Sequence, residues 1–246
     1  SEDTFLGQIY RTLLSLLETN RGLIEQARPK VAKNSAGYYL WNIWDGQIFD
    51  LTKLIVGSQG TLGLVTKARL GLVPVENWSE LVVVFLPDIS RVADIVNEAL
   101  IFDPTSIESY DDKTLRLALR SLPALARKLK FGGLGRLILS FWPEVKMAWR
   151  GGWPQLVLLA EFTGQENSAV TLKAQAFVKK MNELGVFAYK TSGPAETEKY
   201  WTIRREAFSL LRRRPGGKRT APFIDDIIVR PEVMPEFLPR LRSLLD

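Results

Sequence analysis

Asp50-Leu51-Thr52-Lys53-Leu54-Ile55-Val56-Gly57-Ser58-Gln59-Gly60-Thr61-Leu62-Gly63-Leu64-Val65-Thr66 places three glycines within seven residues, between two apolar runs. Such spacing marks backbone that turns sharply or comes close to something, because glycine enters left-handed conformations without steric cost. Two readings of Gly57–Gly63 stand side by side. One is a tight turn in a sheet; the other is a loop whose bare amides approach a phosphate or a flat cofactor ring. A P-loop is excluded, since no Gly-Lys-Ser/Thr follows and the phosphate-binding lysine is missing. Leu51–Val56 is apolar, and Leu64–Val73 has strand character up to Pro74.

On the amino-terminal side, Phe5, Ile9, Leu13, Leu16 and Leu17 recur at spacings of three and four, which predicts an amphipathic helix. A second short helix is expected around Gly22–Ala27, before Pro29. On the other side the texture changes near Val75–Ser79, where a domain boundary is expected. Leu81–Leu86 is a β-branched run typical of a buried strand. Asp88–Leu100 reads as a helix, Thr105–Ser109 as a short strand, Gln155–Phe162 as a strong strand, Gln165–Leu184 as a long helix and Val186–Thr191 as another strand. Strand–helix–strand thus occurs twice, the outline of a ferredoxin-like split β-α-β layer in an α+β protein. Helix is expected again over Glu196–Leu211, strand over Phe223–Val229, and a closing helix over Glu232–Leu245 with Pro231 at its start.

The chain has 246 residues and contains neither Cys nor His. These absences exclude disulfides, thiol nucleophiles, Cys- or His-ligated metals, an imidazole base and a Ser-His-Asp triad within these residues. Chemistry must rest on carboxylates, Lys, Arg, Tyr or a borrowed cofactor. The formal charge of +6 is unevenly placed. Arg120–Arg150 carries seven basic residues against Glu144, Arg204–Arg219 carries seven against Glu206, and the remainder is net acidic. That pattern argues against a uniformly basic nucleic-acid binder, and no nucleic-acid partner is expected. Ser1–Asn20 lacks the basic start and apolar run of a signal peptide, and no uncharged apolar stretch is long enough to span a bilayer. The expectation is a cytoplasmic protein.

Two motifs in order resemble a family. The Gly57–Gly63 stretch is similar to the Gly-Ser-Glu-Gly-Thr-Leu-Gly signature of FAD-linked oxidases of the vanillyl-alcohol-oxidase/para-cresol-methylhydroxylase superfamily, with Gln59 in place of the usual Glu. Upstream, Lys33-Asn34-Ser35-Ala36-Gly37-Tyr38 resembles the Lys-Asn-x-x-Gly-Tyr that precedes the signature. Further likenesses are Ser106-Ile107-Glu108-Ser109-Tyr110-Asp111, Leu159-Ala160-Glu161-Phe162-Thr163-Gly164, Tyr200-Trp201-Thr202-Ile203-Arg204-Arg205-Glu206 and Asp225–Glu232. The resemblance is weakest across Leu122–Pro154. Its amino-terminal pyrophosphate-binding stretch and its downstream His-bearing elements have no counterpart here, so the chain reads as a central piece of a longer flavoprotein, itself inactive.

The resemblance implies that residues 1–76 are the end of an FAD-binding domain and residues 77–246 a truncated cap, or substrate, domain. It implies FAD as cofactor of the full-length protein, held weakly or not at all by this piece. Asn34, Gly37, Tyr38, Gly57, Ser58, Gly60, Thr61, Leu62, Gly63 and Val65 would line it. It implies oxidation of a 2-hydroxy acid of the D-lactate or glycolate type, with the electrons passing to an acceptor. Arg204 would hold the substrate carboxylate, with Arg205 the fallback if the register slips by one; no catalytic residue and no metal ligand is expected in this chain. Arg204 has a structural alternative, a salt bridge to Asp225, Asp226 or Glu206. A non-catalytic ligand- or partner-binding module on a flavoprotein-derived scaffold is the alternative for the whole. Arg212-Arg213-Arg214 reads as a solvated helix end or as a basic lip steering an anion. Residues 122–154 combine basic residues with Phe131, Phe141, Trp142, Trp149 and Trp153. They read as a cap insertion, as core aromatics, or as a peripheral contact with the inner membrane face.

Overall fold

The computed structural model describes residues 3–31, 33–34, 37–120, 141–143, 152–212 and 227–245. These divide into two compact units, one of residues 1–73 with 226–230, the other of residues 74–225 with 231–246.

The larger unit is built on a sheet. Strands β1 (Trp78–Leu86), β2 (Ser106–Asp111), β3 (Leu156–Gly164) and β4 (Phe187–Lys190) lie in the order β2-β3-β1-β4, every neighbouring pair antiparallel. Helix α4 (Val92–Leu100) joins β1 to β2, and α6 (Asn167–Glu183) joins β3 to β4. This is the β-α-β-β-α-β order of the ferredoxin-like layer, in an α+β protein. One face of the sheet presents Val82, Val84, Leu86, Leu158, Ala160 and Phe162 to α4 and α6. Helix α6 meets it with Val170, Ala174, Phe177 and Met181, whose spacings of four, three and four make one stripe. Residue Leu238 of α8 (Met234–Leu245) adds to that layer.

The opposite face carries Leu81, Val83, Phe85, Val157, Leu159 and Tyr110 against Leu115 and Ala118 of α5 (Asp112–Arg120) and Tyr200 and Ile203 of α7 (Pro194–Arg212). Both faces of β1 are therefore covered. This is why Leu81–Leu86 is a continuous apolar run rather than an alternating one. Helix α5 lies where no helix is expected from sequence. Asp111 Oδ1 accepts from Thr114 N at 2.8 Å and starts it, and Asp112 pairs with Arg116 one turn on.

In the smaller unit α1 (Phe5–Thr19) is capped by Thr4, whose Oγ1 accepts from Gly7 N at 3.1 Å, and α2 (Arg21–Ala27) follows at once. A bridge between Trp44 and Phe49 closes a turn in which Asp45 Oδ1 accepts from Gln47 N and Ile48 N, each at 2.8 Å. The apolar run before the glycine loop forms a single helical turn, α3 (Thr52–Ile55). Leu17, Ile43 and Leu54 are the buried core residues described here, a small nucleus for so many residues.

Two sequence expectations change. Leu64–Val73 forms no strand, and Leu64, Val65, Leu70, Leu72 and Val73 stand in solvent. A strand requires a neighbour for its N–H and C=O groups, and none is present among the described residues. Ile227–Arg230 likewise has no strand pairing, while the preceding part of the expected strand, 223–226, lies outside the described residues.

Candidate functional site

In the smaller unit the glycine loop leaves α3 through a series of tight turns. Ser58 N donates to Ile55 O at 3.1 Å and Thr61 N to Ser58 O at 3.2 Å. Gly57 and Gly60 have φ of 87° and 75°, and Gln59 itself sits at 53°. A Cβ built on either glycine would meet no heavy atom within 4 Å, so backbone conformation, not crowding, demands glycine here. Thr61 Oγ1 donates to Ser58 O at 2.7 Å, which spends its one proton. Tyr38 Oη, 2.7 Å from the same Oγ1, must then be the donor between the two hydroxyls. That bond joins the two stretches singled out from sequence, 23 residues apart.

The remaining residues expected at this site have defined places. Tyr39 Oη accepts from Asn34 N at 3.1 Å and donates to Asn34 O at 2.5 Å, pinning Asn34 by its backbone. Gly37 has φ of 69° and is exposed, as are Leu62, Gly63 and Val65, while Ser58 is half-buried. The amides of Gly60, Leu62 and Gly63 donate to no group among the described residues. Exposed, unengaged amides beside the left-handed turn at Gly60 are a fitting surface for a phosphate or an acidic ring edge. Ser35 and Ala36 lie outside the described residues.

In the larger unit a polar cluster forms where β1 and β2 begin and β3 ends, on the α5/α7 face. Glu161 of β3 accepts from Ser79 Oγ at 2.7 Å and from Ser106 Oγ at 3.4 Å. Two residues along β2, Glu108 meets Arg204 of α7. One carboxylate oxygen, Oε2, accepts from Arg204 Nε at 3.0 Å and lies 2.9 Å from Nη2. Both side chains are about two-fifths exposed. Arg204 is therefore in a salt bridge, with Glu108, a partner not named from sequence; of the partners that were, Asp225 and Asp226 lie outside the described residues. Arg205 is engaged on its own helix by Glu198 and Thr202.

The start of α7 is fixed at the same end of the sheet. Glu196 takes Ser192 N and Ser192 Oγ on Oε2, each at 2.8 Å, and Tyr189 Oη on Oε1 at 2.9 Å. Since Tyr189 gives its proton to Glu196, Tyr200 Oη donates to Tyr189 Oη, 2.5 Å away. This chain of hydroxyls, together with Thr191 Oγ1 against Thr197 Oγ1 at 2.7 Å, sets the axial position of α7 and hence of Arg204. Lys199, fully buried, lies over the rings of Phe141 and Tyr200 at 4.5 and 4.2 Å. Sequence reasoning singled out neither Ser79 nor the Tyr189–Tyr200–Glu196 chain, because only the sheet register brings these residues together.

The described residues include no group of three or more carboxylates, Cys or His placed to hold a metal, and no helix long and apolar enough to cross a membrane. Nearly all of 122–154 and 213–226 lies outside the described residues, including Phe131, Trp149, Arg213, Arg214, Lys218 and Arg219.

Comparison with known proteins places this geometry in a class. Residues 75–246 match the family described as FAD linked oxidases, C-terminal domain, and the chain belongs to it. It is 28% identical to a D-2-hydroxyglutarate dehydrogenase of Pseudomonas putida over 98% of its length, and 27% identical to that of Escherichia coli over 99%. It is also 35% identical to the glycolate oxidase subunit GlcD of Bacillus subtilis over 38% of the chain and 18% of that subunit. The chain spans 23% of the length of the two dehydrogenases.

Proposed function

We propose that the chain is the junction of an FAD-binding domain, residues 1–76, and a substrate domain, residues 77–246, in a longer flavoprotein that oxidises a 2-hydroxy acid and passes the electrons to an acceptor. The observation that carries this reading is Arg204, held along one edge by Glu108 while its side chain is 43% exposed. A guanidinium in that state can clasp both oxygens of a carboxylate, a charge-assisted contact contributing about 1.5–3 kcal/mol. The names of the two dehydrogenases support D-2-hydroxyglutarate as a candidate substrate beside D-lactate and glycolate, and that of the GlcD relative supports glycolate.

Asn34, Gly37, Tyr38, Gly57, Ser58, Gly60, Thr61, Leu62, Gly63 and Val65 would hold the cofactor, with the Gly60, Leu62 and Gly63 amides turned to its acidic groups. Bound FAD supplies a two-electron acceptor for the hydride on the substrate α-carbon. Arg204 would anchor the substrate by its carboxylate. The family resemblance implies that the group taking the hydroxyl proton belongs to the His-bearing elements, which have no counterpart among these 246 residues.

The test is made on the full-length protein. It should purify yellow with bound flavin and reduce a dye acceptor with D-2-hydroxyglutarate, D-lactate or glycolate. Arg204→Ala should raise KM by at least tenfold with flavin content unchanged. A colourless protein inert to all three acids would instead favour a non-catalytic binding module.

A further inference from the structure

We propose that Glu108 is the positioning residue that aims Arg204 at the substrate carboxylate, an inference that rests on the reading of Arg204 as the carboxylate clamp. The guanidinium has two edges able to take a carboxylate in a fork: the side edge formed by Nε–H and one Nη2–H, and the end formed by Nη1 and the other Nη2–H. Glu108 Oε2 occupies the side edge, at 3.0 and 2.9 Å. The end therefore keeps its two N–H donors, one on Nη1 and one on Nη2, and Arg204 has no second ion pair among the described residues.

Glu108 is itself placed by backbone. It stands opposite Leu159 on β3, within a strand hydrogen-bonded along its whole length, so its carboxylate is anchored to the sheet rather than to a mobile loop. Arg204 comes from a different element, α7, and its long side chain has many rotamers when unpaired. A carboxylate at 2.9 Å removes most of that freedom before the substrate arrives, which lowers the ordering cost of binding. The exposure of the pair matters as well. A fully buried pair would not exchange its remaining donors with an incoming ligand, whereas Arg204 is 43% exposed. The site thus recognises a carboxylate through a preset half of the fork, and Glu108 never touches the substrate.

The experiment compares wild type, Glu108→Gln, Arg204→Lys and the double variant in the full-length flavoprotein, with D-2-hydroxyglutarate as the probe. Glu108→Gln keeps shape and removes charge. It should raise KM about tenfold, with kcat falling less than KM rises and the flavin absorbance per protein unchanged. Once Arg204→Lys has removed the planar fork, adding Glu108→Gln should change KM less than twofold. Should Glu108→Gln fail to accumulate, Glu108→Asp, which retracts the acceptor by one methylene, replaces it with the same expected rise. A KM equal to wild type in the Glu108 variant, with KM raised in Arg204→Lys, overturns the positioning role and leaves the clamp standing. Equal effects of Glu108→Gln in both backgrounds also overturn it. An unchanged KM in Arg204→Lys removes the clamp itself, and this inference with it.

Discussion

Tyr38 Oη donates to Thr61 Oγ1 across 2.7 Å and ties the turn at Gly37 to the glycine loop. Neither residue is buried, so the bond acts by ordering two exposed segments against each other rather than by filling a core. A net hydrogen bond of this kind contributes about 0.5–1.5 kcal/mol, or roughly twofold to twelvefold in an equilibrium. In the full-length protein Tyr38→Phe should weaken FAD binding by that factor, measured by flavin fluorescence titration of the apoprotein. An affinity equal to wild type would mean that the loop holds its shape without the link.

Gly60 offers a cleaner test of backbone demand, because nothing lies within 4 Å of where its Cβ would be. Its φ of 75° alone penalises an L side chain, by roughly 1–2 kcal/mol. Gly60→Ala should lower stability by about that amount and Gly60→Asn by less, since Asn tolerates the left-handed region. Urea titrations of the three proteins give the comparison; equal losses for Ala and Asn would point to a cause other than φ.

At Gly164 the demand is steric. An added Cβ would come 2.9 Å from Val170 Cγ2, a buried atom of the first turn of α6. Gly164→Ala should cost about 1–3 kcal/mol by overpacking. Val170→Ala alone removes buried methyls, yet combined with Gly164→Ala it should recover part of the loss. Additive penalties in the double variant would show that the two atoms do not meet.

Asp45 and Asp50 have carboxyls held below the ordinary value of 3.8. For Asp45 the main cause is the backbone N–H of Ile48, aided by Gln47; for Asp50 it is the Thr52 hydroxyl, aided by the Thr52 N–H. A depressed carboxyl stabilises the fold above its unfolded pKa and loses that contribution as pH falls through the folded value. Wild type should therefore melt higher than Asp45→Asn/Asp50→Asn at pH 7. The gap should narrow only once the pH drops below about 3.8. A gap that stays constant down to pH 2 would show that the charges are not what the turns use.

How much of this could be read from sequence varied with the range of the cause. Strands β1 and β3 declared themselves because a strand covered on both faces must be apolar throughout. The Gly164 of the Leu-x-Glu-Phe-x-Gly stretch was visible as a motif, but its reason, contact with Val170, needed the helix crossing. Helix α5 escaped notice because Leu115, Leu117 and Leu119 alternate like a strand, whereas the buried positions are Thr114, Leu115 and Ala118, at helical spacing. Leu64–Val73 misled in the opposite sense, since its composition suits a strand that finds no neighbour among the described residues. Glu108 as the partner of Arg204 was out of reach: 96 residues separate them, and only the packing of α7 on β2 brings them together.

The exposed run from Leu64 to Val75 has a consequence at the bench and in the cell. Leu64, Leu70, Leu72, Val73 and Val75 are each at least 79% accessible, and Lys67 and Arg69 are the only charged residues among 64–75. Produced as these 246 residues alone, the polypeptide would be a client for chaperones and would scatter light on concentration. A version beginning at Pro74 would shed most of that adhesive stretch while retaining the whole four-stranded sheet.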